Sequence, residues 1–245
     1  KGFKNPSFES VSKNLSLGLD IESEYIETFE LNYAANFSHA FKLNSSLFFN
    51  NLDNLISRTN YLNIDSTQEY SILSNVGELK SYGGEFMISA IPVKNLNVDL
   101  GLTIQKTIDQ RQGFEDIPRE FSPNLYGSLK MKYAIEDTYI FTLTGKYISS
   151  METHYKMVNS VSDIMPDVPL QSYNGRIGQK TGNVILLDAN IRINNLFNSG
   201  LYFNTRINNL LNSTFYYPTT TLSKWADKGT LREYFRGWIT AGYTF

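Results

Sequence analysis

Cysteine is absent from the 245 residues, which removes small disulfide-stapled folds and thiolate metal centres from consideration. Long apolar runs are missing too. The longest, such as residues 184–187, are four residues, whereas a helix that crosses a bilayer needs roughly 20. That excludes helical spans only. A barrel strand places its apolar residues at every second position, so the mean hydropathy of -0.29 decides nothing about membrane residence. Neither charge sign is in surplus, with 22 basic against 24 acidic residues, and no clustered basic face marks a nucleic-acid binder. Residues 1–10 contain no apolar stretch of the kind a signal peptide carries, so an exported protein is expected to have further residues upstream.

What the chain does have is aromatics, 16 Tyr and 16 Phe, together with abundant Asn. Aromatic and β-branched residues favour strands. Residues 232–245 (REYFRGWITAGYTF) show how they are used. Reading back by twos gives Phe245, Tyr243, Ala241, Ile239, Gly237 and Phe235; the intervening set is Thr244, Gly242, Thr240, Trp238, Arg236, Tyr234 and Arg232. One face suits lipid and the other water. A strand that is apolar outside, polar inside and ends on an aromatic suits the closing strand of a bacterial outer-membrane barrel.

Eight further segments alternate in the same way, and no amphipathic helix is expected. Residues 24–38 set Tyr25, Phe29, Leu31, Tyr33, Ala35 and Phe37 against Glu24, Thr28, Glu30, Asn32, Asn36 and Ser38. Residues 96–106 alternate most cleanly, with Leu96, Val98, Leu100, Leu102 and Ile104 against Asn97, Asp99, Gly101, Thr103 and Gln105. The others are 43–58, 76–91, 122–133, 139–150, 183–194 and 200–212.

Connection lengths carry the topology. Residues 39–42, 92–95, 134–138 and 195–199 are short; residues 59–75, 107–121, 151–182 and 213–231 are long; and the two kinds take strict turns. Up-and-down barrels put tight turns at the periplasmic rim and long loops at the cell surface. A Greek-key sandwich has no reason to keep that parity. Aromatics agree: Phe37, Tyr133, Tyr139, Tyr243 and Phe245 fall at the short-turn end of the lipid face, and Phe49, Tyr82, Tyr147 and Phe235 at the long-loop end. Two interfacial bands are expected.

These residues also carry a family resemblance. Residues 74–86 (SNVGELKSYGGEF) resemble the Asn-Val-Gly then Tyr-Gly-x-Glu strand of TonB-dependent outer-membrane receptors. Residues 208–218 (NNLLNSTFYYP) are similar to that family's Asn-Leu-Phe-Asn, Tyr, Pro stretch before the last loop, and residues 194–198 (NNLFN) repeat its core. Residues 20–33 resemble the acidic strand that follows the family's Leu-x-Pro-Glu motif, without the Pro. Residues 117–133, with Pro118 and Pro123, stand where the family has a Pro-containing loop before a strand. The family's Pro-Gly-Arg before the final strand appears only as Gly229-Thr230-Leu231-Arg232.

The resemblance implies an all-β, transmembrane, up-and-down antiparallel barrel of which this chain supplies the last nine of 22 strands. The plug domain and the segment that engages TonB would lie outside it. It implies active uptake across the outer membrane of a ferric siderophore, haem, cobalamin, glycan or peptide, with no catalysis, cofactor or resident metal. Expected partners are outer-membrane lipid, the amino-terminal barrel half and plug, the TonB complex through that plug, and a surface lipoprotein; nucleic acid is not among them. Nine antiparallel strands cannot close on themselves, since the first and last run the same way, and open edges in hydrocarbon leave backbone groups unpaired.

Candidate contacts are few. His39 lies in a tight turn, and His154 in a long loop beside Tyr155 is a candidate contact for haem or a chelated metal. Loop aromatics Tyr216, Tyr217 and Trp225 either stack on a ligand or pack their loop. Water-facing cations Lys130, Lys132, Lys146, Arg192, Arg206, Arg232 and Arg236 stand against Glu24, Glu30, Glu85, Asp99 and Asp188. That slight excess suits an anionic ligand, cross-barrel ion pairs or plug contacts, with Arg206, Arg232 and Arg236 as candidates. Phe235, Ile239, Tyr243 and Phe245 form the candidate assembly signal. The acidic runs 20–30 and 109–116 lack calcium-loop spacing and suit a solvated rim. Two rival readings stand: a small outer-membrane barrel enzyme, and a soluble β-sandwich binding module.

Overall fold

The computed structural model of the chain describes residues 1–15, 20–62, 69–75, 77–111, 115–136, 138–159, 171–176, 178–217, 230–231 and 234–244. The elements in order are β1 (Gly2–Lys4), α1 (Phe8–Leu15), β2 (Glu24–Ser38), β3 (Phe41–Asp53), β4 (Ile56–Leu62), β5 (Glu69–Asn75), β6 (Gly77–Val93), β7 (Leu96–Arg111) and β8 (Ile117–Pro118). There follow β9 (Leu125–Ile135), β10 (Tyr139–Ile148), β11 (Tyr155–Asn159), β12 (Gln171–Arg176), β13 (Val184–Leu196), β14 (Leu201–Asn208), β15 (Tyr216–Tyr217), β16 (Thr230–Leu231) and β17 (Arg236–Tyr243).

Nine strands, β2, β3, β6, β7, β9, β10, β13, β14 and β17, lie side by side in chain order, each antiparallel to the next. They correspond to the nine expected segments, and the final strand pairs with β14. Some boundaries move. The segment expected over 43–58 stops at Asp53 because Asn54 takes a φ of 56°, a left-handed turn that Asn tolerates. The long connections also hold three small hairpins, β4–β5, β11–β12 and β15–β16. The helix α1 was not foreseen; Ser7 caps it by accepting from the Ser10 N–H at 3.2 Å, and Glu9 sits in its first turn.

Short connections gather at one rim and long ones at the other. Three of the four tight turns are built on positive φ: Asn95 at 68°, Glu136 at 48°, and Asn198 and Gly200 at 54° and 76°.

Register shows the two faces directly. Phe29, Phe49 and Tyr82 stand opposite one another on one side of β2, β3 and β6. Leu96, Tyr133, Phe141, Ile191, Thr205 and Ile239 continue that side across the remaining strands. None of the described residues covers it: Phe29 is 65% exposed, Leu31 69% and Ile239 79%. Holding such a side chain in water instead of an apolar medium costs about 1.5–3 kcal/mol each, a cost that hydrocarbon removes. A soluble sandwich would bury this face against a second sheet, and among the described residues none lies there. No described helix is long and apolar enough to cross a membrane, which says nothing of strands.

What is buried lies elsewhere. The buried apolar side chains, Ile21, Ile117, Met151, Val184 and Phe215, and the buried polar ones, Asn14, Glu24, Asp109, Thr153, Thr181 and Asn209, all sit at the long-loop rim.

Two glycines are fixed by close approach. A Cβ at Gly83, within the Tyr82-Gly83-x-Glu85 motif, would collide with the Ile104 carbonyl oxygen and lie 2.8 Å from Gln105 Cα. Near the other rim the Tyr202 ring lies across Gly242, its register partner, where a Cβ would meet the ring at 2.6 Å. The Arg192 guanidinium stacks 4.9 Å from that ring's centroid.

Candidate functional site

At the long-loop rim, polar side chains tie separate loops into one body. Asp109, near the top of β7, is fully buried, and its Oδ2 accepts from Arg119 Nη1 at 2.7 Å. β8 folds back along β7 to bring Arg119 there, pairing Ile117 with Asp109. The loop after β8 is joined in turn to the one after β10. The Phe121 N–H donates to the Glu152 carbonyl at 2.9 Å, and His154 Nδ1 lies 2.6 Å from Glu120 Oε2. The Phe121 and His154 rings are parallel within 4°, with centroids 6.4 Å apart.

Arg176, at the end of β12, closes the network. Its Nη1 donates to the Thr153 carbonyl at 2.8 Å and its Nη2 to the Pro118 carbonyl at 2.5 Å, while Lys180 pairs with Glu152 at 2.8 Å. Met151 and Thr181 exchange hydrogen bonds of 2.8 and 3.1 Å. The result is a polar platform above β7–β13, buried at Asp109, Thr153 and Thr181 and partly exposed around them.

The candidate residues are carried by separate elements. His154 belongs to the platform and is engaged by Glu120. Tyr155 opens β11, and its side chain lies outside the described residues. Tyr216 and Tyr217 form β15 and are half-buried; Tyr217 meets the buried Phe215 ring edge-on at 5.7 Å. Trp225, Arg232 and Phe245 lie outside the described residues. Phe235, Ile239 and Tyr243 project from the outer face, each at least half exposed. His39 occupies the β2–β3 turn.

Arg206 and Arg236 both stand on the inner face, where Arg206 pairs in register with Asn190 and Trp238 and Arg236 with Asn208. Around Arg206 the wall forms a concavity of about 480 Å³ lined by Lys130, Lys132, Lys146, Asp188 and Asn190. A second concavity of about 390 Å³, on β2–β9, is lined by Asn32, Asn44, Glu85, Met87, Thr103 and Tyr126. Among the described residues no group of three or more His, Cys, Asp or Glu gathers as a metal site. Lys1, outside the strands, has its ammonium pKa raised by its hydrogen bond to Glu27 and then by that carboxylate's charge.

Sequence reasoning missed Asp109–Arg119, Glu120 and Arg176. Their partners lie 10 to 58 residues away in other loops, and no local pattern announces them.

Comparison with known proteins bears on this geometry. A family model described as TonB dependent receptor-like, beta-barrel, matches residues 1–210. No curated protein matches in sequence. Three solved structures show the same arrangement. The ferric-catecholate import receptor Fiu of E. coli K12 is 16% identical over 97% of this chain and 29% of its own, with a TM-score of 0.62. The copper transporter OprC is 12% identical over 100% and 36%, at 0.67. The ferripyoverdine receptor of the Pseudomonas aeruginosa outer membrane is 13% identical over 90% and 27%, at 0.60. The chain therefore spans about a third of these neighbours' length.

Proposed function

The chain belongs to the TonB-dependent receptors, and from that premise we propose that it forms barrel wall and surface loops of an outer-membrane receptor for active uptake of a scarce ligand. The observation that supports this best is the single antiparallel sheet with an uncovered apolar outer face, a polar charged inner face and long connections at one rim only. Hydrocarbon takes the outer face. The inner face bounds the path, and the loops tied together by Asp109, Arg119, Glu120, His154 and Arg176 hold the entrance in shape.

Family members are receptors and transporters, and on this reading the chain carries no covalent chemistry. A plug encoded elsewhere in the receptor fills the lumen and is pulled by the TonB complex, opening the way past the wall. A ferric siderophore comes first among ligand classes: two of the three neighbours above are named for ferric ligands. Arg206, Arg236, Tyr216 and Tyr217 are the contacts proposed from the described residues. The outward Phe235, Ile239 and Tyr243, with Phe245, serve assembly.

The test is fractionation of the source bacterium followed by growth of a deletion strain on single iron sources. The protein is expected in the outer membrane with heat-modifiable gel mobility, and the deletion strain is expected to lose growth on a ferric catecholate or related chelate. Recovery as a monodisperse soluble monomer without detergent would overturn the membrane reading. Unchanged growth on every iron source, haem and cobalamin would overturn the iron reading.

A further inference from the structure

One recess in the inner wall gathers cations without matching carboxylates. Register sets Lys132, Thr142, Asn190 and Arg206 in one row across β9, β10, β13 and β14, with Lys130, Thr144 and Asp188 in the next row but one. With Lys146, two residues beyond Thr144, these side chains line the concavity of about 480 Å³. That volume falls in the range of small-molecule sites, about 300–1,000 Å³.

Four cations share the recess with one carboxylate, and that carboxylate is engaged: Asp188 Oδ1 accepts from the Asn209 N–H at 2.9 Å. Asp99, the register partner of Lys130, accepts from Ser89 Oγ at 2.8 Å. Lys130, Lys132, Lys146 and Arg206 are exposed and make no ion pair among the described residues. Arg206 Nε donates to Asn208 at 2.9 Å, which leaves its two terminal nitrogens to a ligand. The other recesses of this wall differ. The one on β2–β9 has no cation in its lining, and the one holding Lys42 also holds Asp99.

A concave surface lined by one sign of charge concentrates its potential and draws counter-ions. Ammonium and guanidinium groups bond charged oxygens strongly, and threonine hydroxyls add neutral donors. Lys130, Lys132, Thr142, Thr144 and Asp188 lie near the middle of their strands, so the recess stands behind the entrance loops and not among them. From this we infer that it is an anion-binding station within the wall, holding a small ligand with two or more negative charges on oxygen once that ligand has left the surface loops. The inference rests on the uptake reading and adds a place and a charge to it. A neutral ligand finds no hold here.

The experiment acetylates the complete receptor in detergent at low salt and follows each lysine by peptide mass spectrometry. The probes are a trianionic hexadentate ferric tris-catecholate and a neutral hexadentate ferric tris-hydroxamate. The anionic chelate is expected to slow labelling of Lys130, Lys132 and Lys146 about tenfold while Lys94, in a short-rim turn, is unchanged; the neutral chelate is expected to slow none of them. In R206Q the protection should fall below about threefold, and K132Q serves the same purpose if R206Q fails to assemble. At about 1 M salt, where the Debye length is about 3 Å, wild type should lose most of its protection.

Three lysines that label equally slowly with and without the anionic chelate are covered by another part of the receptor, and that result overturns the inference. Equal protection by both chelates overturns it as well, since charge is then not what the recess reads. So does full protection in both variants. None of these outcomes touches the uptake reading, which stands or falls on growth of the deletion strain. Protection as expected, with that strain growing normally on every iron source, would keep the station and sink the iron reading.

Discussion

The two rims of this sheet use five-residue words that differ at one position and do different things with them. Residues 194–198 (NNLFN) turn the chain at the short rim; residues 208–212 (NNLLN) turn it at the long-loop rim. At the asparagines their backbones match: Asn195 and Asn198 take φ of 49° and 54°, Asn209 and Asn212 take 51° and 49°, and in each the last Asn donates its N–H to the second Asn's carbonyl, at 3.0 and 2.8 Å, while Phe197 adds a φ of 56° that Leu211 does not share. Their surroundings do not. Asn195 is exposed, and its Oδ1 accepts from the nearby Gly200 N–H at 3.1 Å. Asn209 is 1% exposed; its amide brackets Ser213 through two bonds of 2.9 Å, and its N–H reaches Asp188 on β13. Local sequence sets the turn, and burial decides whether that turn holds other parts of the protein together.

Substitutions at both rims probe this contrast in the complete receptor folded in detergent, each read by urea-dependent proteolysis of the loops. Arg119→Met removes the guanidinium partner of the buried Asp109 carboxylate and should cost the long-loop rim about 3 kcal/mol, toward the lower end for broken buried pairs because Arg119 is itself partly exposed. Adding Asp109→Asn should recover much of it. A loss no larger than for an exposed short-rim carboxylate such as Glu136→Gln would break the contrast.

Asn209→Ala should cost about 1–3 kcal/mol by leaving the part-buried Ser213 backbone groups without their partner, whereas Asn195→Ala should cost about 0.5–1.5 kcal/mol. Equal losses would mean that the shared turn, not its burial, carries the energy. His154→Gln is the smallest: its pair with Glu120 is partly exposed and should contribute about 0.2–1 kcal/mol. A larger loss would make His154 a keystone of the platform.

Strands, strand order and the sorting of loops to two rims were legible because period-two alternation is a property of neighbouring residues. Leu96 to Ile104 announces its own faces. Which charges stand beside one another on the inner face was not visible in the total of seven cations against five carboxylates, because it depends on which strand stands beside which. The platform was hidden for a related reason: Arg176 reaches Pro118 across 58 residues of sequence. Helix α1 is eight residues long, too short to declare itself by periodicity, and stands on its Ser7 cap and on Asn14, which donates to the Leu73 carbonyl at 2.5 Å.

The Tyr202 ring lying across Gly242 works as a key in a notch for the last hairpin. A slip of one residue is already forbidden, since it would turn every side chain of β17 to the wrong face. A slip of two keeps the faces and is the error that alternation alone cannot prevent. It would set Tyr202 against Thr240 or Thr244, where a side chain occupies the space the ring needs, and it would pull the ring from under Arg192. The bare backbone at Gly242 thus marks the one alignment in which the chain's last described strand can lock.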